Sequence, residues 1–109
     1  MTKHEFLDEY IFKGLKNLNN GFDVEAIKYF SLKDFEVVLS RVEKYGLLIH
    51  GIEPWKDGDF YDCWIQEHYN NDTWYKDVFQ HCLDTKLDVD YSASYGIPEN
   101  IRKKFGIED

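Results

Sequence analysis

Hydrophobic positions change period several times along the 109-residue chain, and each change predicts an element. Phe6, Leu7, Tyr10, Ile11, Leu15 and Leu18 recur at helical spacing behind Thr2 and Glu5, which have the spacing of a capping box. Lys13 and Lys16 fall late, where the helix macrodipole favours cations, and Asn19-Asn20-Gly21 is a stop signal. A first helix is therefore expected over residues 3–18. Residues 22–30 support two readings: Asp23 can cap a short helix through Ala26 and Ile27, while Phe22, Val24 and Ala26 also alternate as in a strand. The cap favours the short helix. Ser31 is the N-cap of a second helix whose stripe is Leu32, Phe35, Val38, Leu39 and Val42, ending at Tyr45-Gly46.

The period then shortens. Residues 47–53 read as an apolar strand, and Pro54, which lacks an N–H, is expected to close it. Asp57-Gly58 is the turn signal of a hairpin, and residues 60–67 are its second strand, with Tyr61, Cys63 and Ile65 on one face and Phe60, Asp62 and Trp64 on the other. After the loop Asn70-Asn71-Asp72, Trp74, Tyr75, Val78, Phe79 and Cys82 define one face of a third helix. Leu87, Val89, Tyr91, Ala93 and Tyr95 alternate with Asp88, Asp90, Ser92 and Ser94, the plainest strand pattern in the chain. Pro98 opens a short last helix over residues 99–105, stopped by Gly106. The order implies one α+β domain spanning 1–109: a small, mainly antiparallel sheet of three to four strands packed against several helices.

Composition narrows the function. Eight Tyr, eight Phe and three Trp against one Met imply a stiff aromatic core, with rings to spare for an interface or a weak dimer. Lys plus Arg is 13 and Asp plus Glu is 21, a net charge of −8. Such a field repels nucleic-acid phosphates and anionic membranes and attracts cationic partners. The N-terminus has no apolar leader pattern, and no apolar run is long enough to span a bilayer. A cytoplasmic protein is expected, monomeric or weakly dimeric, with reduced Cys63 and Cys82.

Catalytic patterns are sparse. Cys63, His68, His81 and Cys82 are the residue types that bind zinc, but they lack Cys-x-x-Cys or His-x-x-His spacing, and Cys82 falls on an apolar stripe. Asp57-Gly58-Asp59 fits a hairpin better than a calcium loop. No metal and no cofactor is expected, and no Gly-x-Ser-x-Gly, His-Glu-x-x-His, phosphate-binding or dinucleotide motif is present. A Cys63–His50 nucleophile pair can be drawn across neighbouring strands. The alternative to a binding protein is thus a small hydrolase or ligand-binding domain using an aromatic pocket of Trp55, Tyr61, Trp64 and His50. The stronger pattern is acid interleaved with indole. Glu53, Trp55, Asp57, Asp59 and Asp62 are expected around the hairpin, with Asp88 and Asp90 facing outward from the last strand. Aromatic side chains supply binding hot spots, and acidic groups steer a basic partner.

The same residues carry a resemblance. The helix Phe30-Ser31-Leu32-Lys33-Asp34-Phe35-Glu36-Val37-Val38-Leu39 leads to a strand ending Gly51-Ile52-Glu53-Pro54-Trp55. Then come Tyr61-Asp62-Cys63-Trp64, an aromatic helix with Trp74, Tyr75 and Phe79, and Asp90-Tyr91-Ser92-Ala93-Ser94-Tyr95. This order, over residues 30–95, resembles the small α+β immunity proteins of bacterial polymorphic-toxin and contact-dependent growth inhibition systems. The resemblance implies a non-enzymatic cytoplasmic antitoxin that binds one cognate toxin domain, often a nuclease and therefore basic. No site residue is carried over from the family; the seven contact residues come from the charge and aromatic pattern.

Overall fold

The computed structural model describes residues 1–57, 59–60 and 62–108, with only the backbone of Asp59 and Phe60. It is an α+β fold in which four helices surround an antiparallel sheet three strands wide. The helices are α1 (Lys3–Phe6), α2 (Leu32–Tyr45), α3 (Trp74–Asp84) and α4 (Glu99–Phe105). The strands are β1 (Leu48–Lys56), β2 (Asp59–Phe60), β3 (Trp64–Ile65) and β4 (Asp90–Gly96). β1 is central. β4 pairs with it from Leu48↔Gly96 to Trp55↔Asp90, while β2 and β3 pair in succession with its other edge.

The elements with strong local signals form as expected. Thr2 and Glu5 make the capping box, Ser31 caps α2 through the Asp34 N–H, and Gly46 ends α2 in the left-handed region at φ 73°. All five stripe residues of α3 are buried, and Trp74 donates its indole N–H to the Ile49 carbonyl at 2.9 Å. Asp57, at φ 53°, takes the left-handed conformation that a two-residue hairpin between Lys56 and Asp59 requires. Gly58, its companion in the expected turn, lies outside the described residues, as does Tyr61.

Four expectations are corrected. The first helix stops early: α1 widens into a π-helical turn over Leu7–Ile11, and the chain leaves it before Gly14, at φ 81°. Arg41 of α2 donates to the carbonyls of Ile11 and Lys13 at 3.0 and 2.8 Å, satisfying groups that a continuing helix would have used. Residues 22–30 form no helix. Asn19 holds them as a loop, its amide donating to the carbonyls of Asp23, Val24 and Ile27 and its oxygen accepting from the Gly21 and Asp23 N–H groups. Pro54 does not close β1 but sits inside it, opposite Tyr91. Tyr91 turns both its backbone groups the other way, to Phe30, so Pro54 owes it no donor. The second hairpin strand is correspondingly short, since β2 and β3 are two pieces and Pro54 faces the interval between them. Beyond β3 the chain turns through a 3₁₀ segment, Gln66–His68, where strand was expected.

The sheet has two covered faces. Tyr91 stacks on Phe35 of α2, ring centres 5.2 Å apart, and meets Phe79 of α3 edge-on. On the other face Trp55 packs against Phe22 and Tyr29 of the Asn19 loop.

Candidate functional site

Two regions gather chemistry-bearing residues. The first is the end of the sheet where β1 turns and β4 begins. Trp55 lies opposite Asp90 in the ladder, and Asp57 follows in the turn. The Asp90 carboxyl is half-buried, and its pKa is raised above the usual carboxylate range, first by burial and then by the charges of Asp57 and Asp88. Acids from a turn and a loop thus act on one carboxyl of the strand. The ion pairs Lys13–Glu9 and Lys76–Glu43 lie elsewhere. Asp62 and Asp88 are exposed and line an adjoining groove of about 590 Å³ with Trp64, Lys56, Lys86 and His81.

The expected contact surface is only partly assembled there. Glu53 is not at the turn but within β1, half-buried, with its carbonyl accepting from Ser92 Oγ at 3.3 Å. Its charge acts inward: with Asp23 it raises the pKa of buried Tyr29, behind the larger effect of burial itself. The Tyr29 hydroxyl donates to Asp23 Oδ2 at 2.5 Å. Asp90 is half-buried too, because the face of β4 read as solvated is covered by the Asn19 loop, and Ser92 on that face is 2% exposed. The side chain of Asp59 lies outside the described residues.

The alternative aromatic pocket is divided by the sheet. Trp64 pairs with Ile52, whereas Trp55 is an odd number of positions further along β1, so the two indoles lie on opposite faces. His50 does not meet Cys63; its Nδ1 bonds Gln66 Oε1 at 3.2 Å. Gln66 donates its amide to Asp72 Oδ1 at 3.0 Å, which fixes its orientation and makes His50 Nδ1 the donor to it. The Cys63 thiol is pushed up by burial and by the charges of Glu53 and Asp62, which keeps it protonated and a poor nucleophile. Among the described residues no three His, Cys, Asp or Glu side chains converge as metal ligands would.

The second region was not foreseen. A cleft of about 670 Å³ opens beside β4, between Leu7 and Phe12 near the N-terminus, Ile27 and Lys28 of the Asn19 loop, and Ala93 and Tyr95 on its floor. His50 reaches it from a bulge in β1, where the register shifts between Ile49 and Gly51. The bulge lays the imidazole over Gly96, so close that a Cβ there would strike its Nε2. No single stretch of sequence signals this cleft, because its walls come from separate parts of the chain.

No family model, no curated protein and no solved structure matches this chain.

Proposed function

We propose that this protein is an immunity-type antitoxin that acts in the cytoplasm. It binds a cognate basic toxin domain, of the nuclease kind, stoichiometrically through the acidic end of its sheet. The observation that supports this reading is the half-buried Asp90 carboxyl, whose pKa is raised first by burial and then by the charges of Asp57 and Asp88. Clustering like charges destabilises the free domain, and a cationic partner relieves the repulsion on binding. Trp64 in the adjoining groove offers a large, half-buried anchor, whereas Trp55 is engaged by Phe22 and Tyr29. The sequence over residues 30–95 also resembles small α+β immunity proteins, which supports the reading. In this reading the inhibitor works by covering a surface of its partner.

The test is capture of the tagged protein with the products of its neighbouring genes, washed at low and then high salt. A stoichiometric basic partner released by salt is expected. Reversing Asp57, Asp62 and Asp88 together should weaken that complex by about 2–4 kcal/mol while the domain stays folded by circular dichroism. Unchanged affinity in the folded triple variant would overturn the surface, and the absence of any partner would overturn the reading.

A further inference from the structure

β4 is completed along only part of its outer edge. Its inner edge pairs with β1 throughout. On the outer edge Tyr91 exchanges both backbone hydrogen bonds with Phe30, donating at 2.7 Å and accepting at 2.8 Å. Residues of an antiparallel strand alternate in which edge they bond, so the next outward-facing backbone groups belong to Ala93 and Tyr95. Ser92 and Ser94, between them, are matched with Glu53 and Gly51 of β1. The segment that supplies Phe30 does not continue the ladder. Tyr29 gives its N–H to Asn17 Oδ1 at 2.9 Å and its carbonyl accepts from Leu18 at 2.8 Å. Ala26, Ile27 and Lys28 then stand off as one wall of the cleft. Two backbone donors and two acceptors thus lie along the cleft floor, with no strand paired to them among the described residues.

We infer that this cleft takes an extended segment of a partner polypeptide, which adds a strand to β4 in line with Phe30. The occupant follows from continuity: Phe30 already makes the first rung of an antiparallel ladder that is otherwise vacant, and main-chain pairing is satisfied by another main chain. A second copy of this chain does not fit, because its own β4 edge is equally sunk between walls and both copies carry −8. Leu7 and Phe12 supply an apolar seat for one side chain of the added strand. The rim carries Lys3, Lys28, His4 and His50 against Asp8 and Glu25, neutral to cationic on an otherwise acidic protein. The segment it selects is uncharged, with one large apolar side chain. This site lies at the other end of β4 from the acidic cluster, and it stands whether or not the proposed function does.

Amide exchange tests it first in the free protein. The N–H groups of Ala93 and Tyr95 should exchange at least about tenfold faster than those of Ser92 and Ser94, although all four lie in one strand. Protection of Ala93 and Tyr95 in the free protein would overturn the proposal. The binding probe is a panel of acetylated, amidated hexapeptides alternating Thr and Val, with one central Leu or Phe. Binding should slow exchange at Ala93 and Tyr95 and shift the ring resonances of His4 and His50. N-methylation of the peptide amide that pairs with Ala93 should abolish binding, while N-methylation of the next amide should not. Equal effects of the two, or no protection from any peptide at millimolar concentration, would overturn it. Ala93→Pro removes the outward donor and leaves the Ser92 and Ser94 bonds, so it should cost about tenfold in affinity. The N-methyl pair decides the matter without altering the protein, should that variant fold poorly. Reversing Asp57, Asp62 and Asp88 should leave peptide binding unchanged, which separates failure here from failure of the acidic surface.

Discussion

Tyr91 and Tyr29 are both 0% exposed and lie on opposite faces of the same sheet, yet different means bury them. Tyr91 is enclosed by helices: Phe35 and Phe79 reach it from α2 and α3, and its hydroxyl donates to the Leu87 carbonyl at 2.7 Å. Those helices satisfy their own backbones, so apart from the Trp74 indole bond to the Ile49 carbonyl they give the face apolar volume. Tyr29 is enclosed by a loop that has almost no internal ladder. Asn17 and Asn19 supply the missing bonds, accepting and donating in place of a helix's carbonyls and amides. A face can therefore be closed without regular structure when a few amide side chains satisfy the backbone that closes it. The helical face depends on apolar volume, and the looped face depends on hydrogen bonds.

The sharpest way to break this contrast is to remove volume from the helical side. Trp74→Ala deletes a fully buried indole and orphans the Ile49 carbonyl, and should cost about 3–5 kcal/mol, read as a lower urea midpoint. A loss below about 1 kcal/mol would mean that the helical side does not carry the core. On the looped side, Asn19→Ala should cost about 1–2 kcal/mol, below the full penalty for buried unsatisfied groups because those it bonds are only part-buried or exposed. Its signature is local, because Trp55 should become more exposed and its fluorescence shift to the red, while the α2 and α3 amides keep their exchange protection. Global loosening of α2 and α3 in that variant would show that the two faces are not separable.

The smallest effect sits at the acidic end. Asp90 has a folded pKa above its unfolded value, so the native state holds its proton more tightly. Its ionisation therefore destabilises the fold above the folded pKa, and that penalty disappears as pH falls to the unfolded value of about 3.9. Asp90→Asn should raise stability at pH 7 by less than about 1 kcal/mol, and by nothing in acid. Stabilisation that persists below the unfolded pKa would point to packing instead of charge.

The helical side is the part of the molecule most legible in sequence. Ser31, Gly46 and the stripes of α2 and α3 carry their own start, stop and facing signals within a turn or two. The hairpin is legible for the same reason, through Asp57. The looped side is not. Leu15 and Leu18 extend the helical spacing of the first segment, but the π-helical turn and the Arg41 contacts end that helix first. Phe22 to Phe30 offers a cap and an alternation, and neither decides, because the Asn19 hydrogen bonds and the Phe30–Tyr91 pairing override both. Of the candidate site, Asp57, Asp62 and Asp88 were legible as exposed acids. The inward turn of Glu53 and the half-burial of Asp90 were not, since both depend on a loop whose path the local pattern does not encode. The cleft beside β4 escaped for the same reason.

Pro54 has a consequence during synthesis, before any of these faces exists. Residues 47–55 are the most apolar strand-forming stretch of the chain, and a nascent copy of it can pair with another copy as readily as with β4. In the native sheet Tyr91, opposite Pro54, bonds to Phe30 and needs no donor from it. In an intermolecular stack of such segments the same gap recurs at every layer and interrupts each ladder. Pro54→Val should therefore leave the finished domain largely intact and raise turbidity on refolding, the mark of a residue that guards the chain against its own copies.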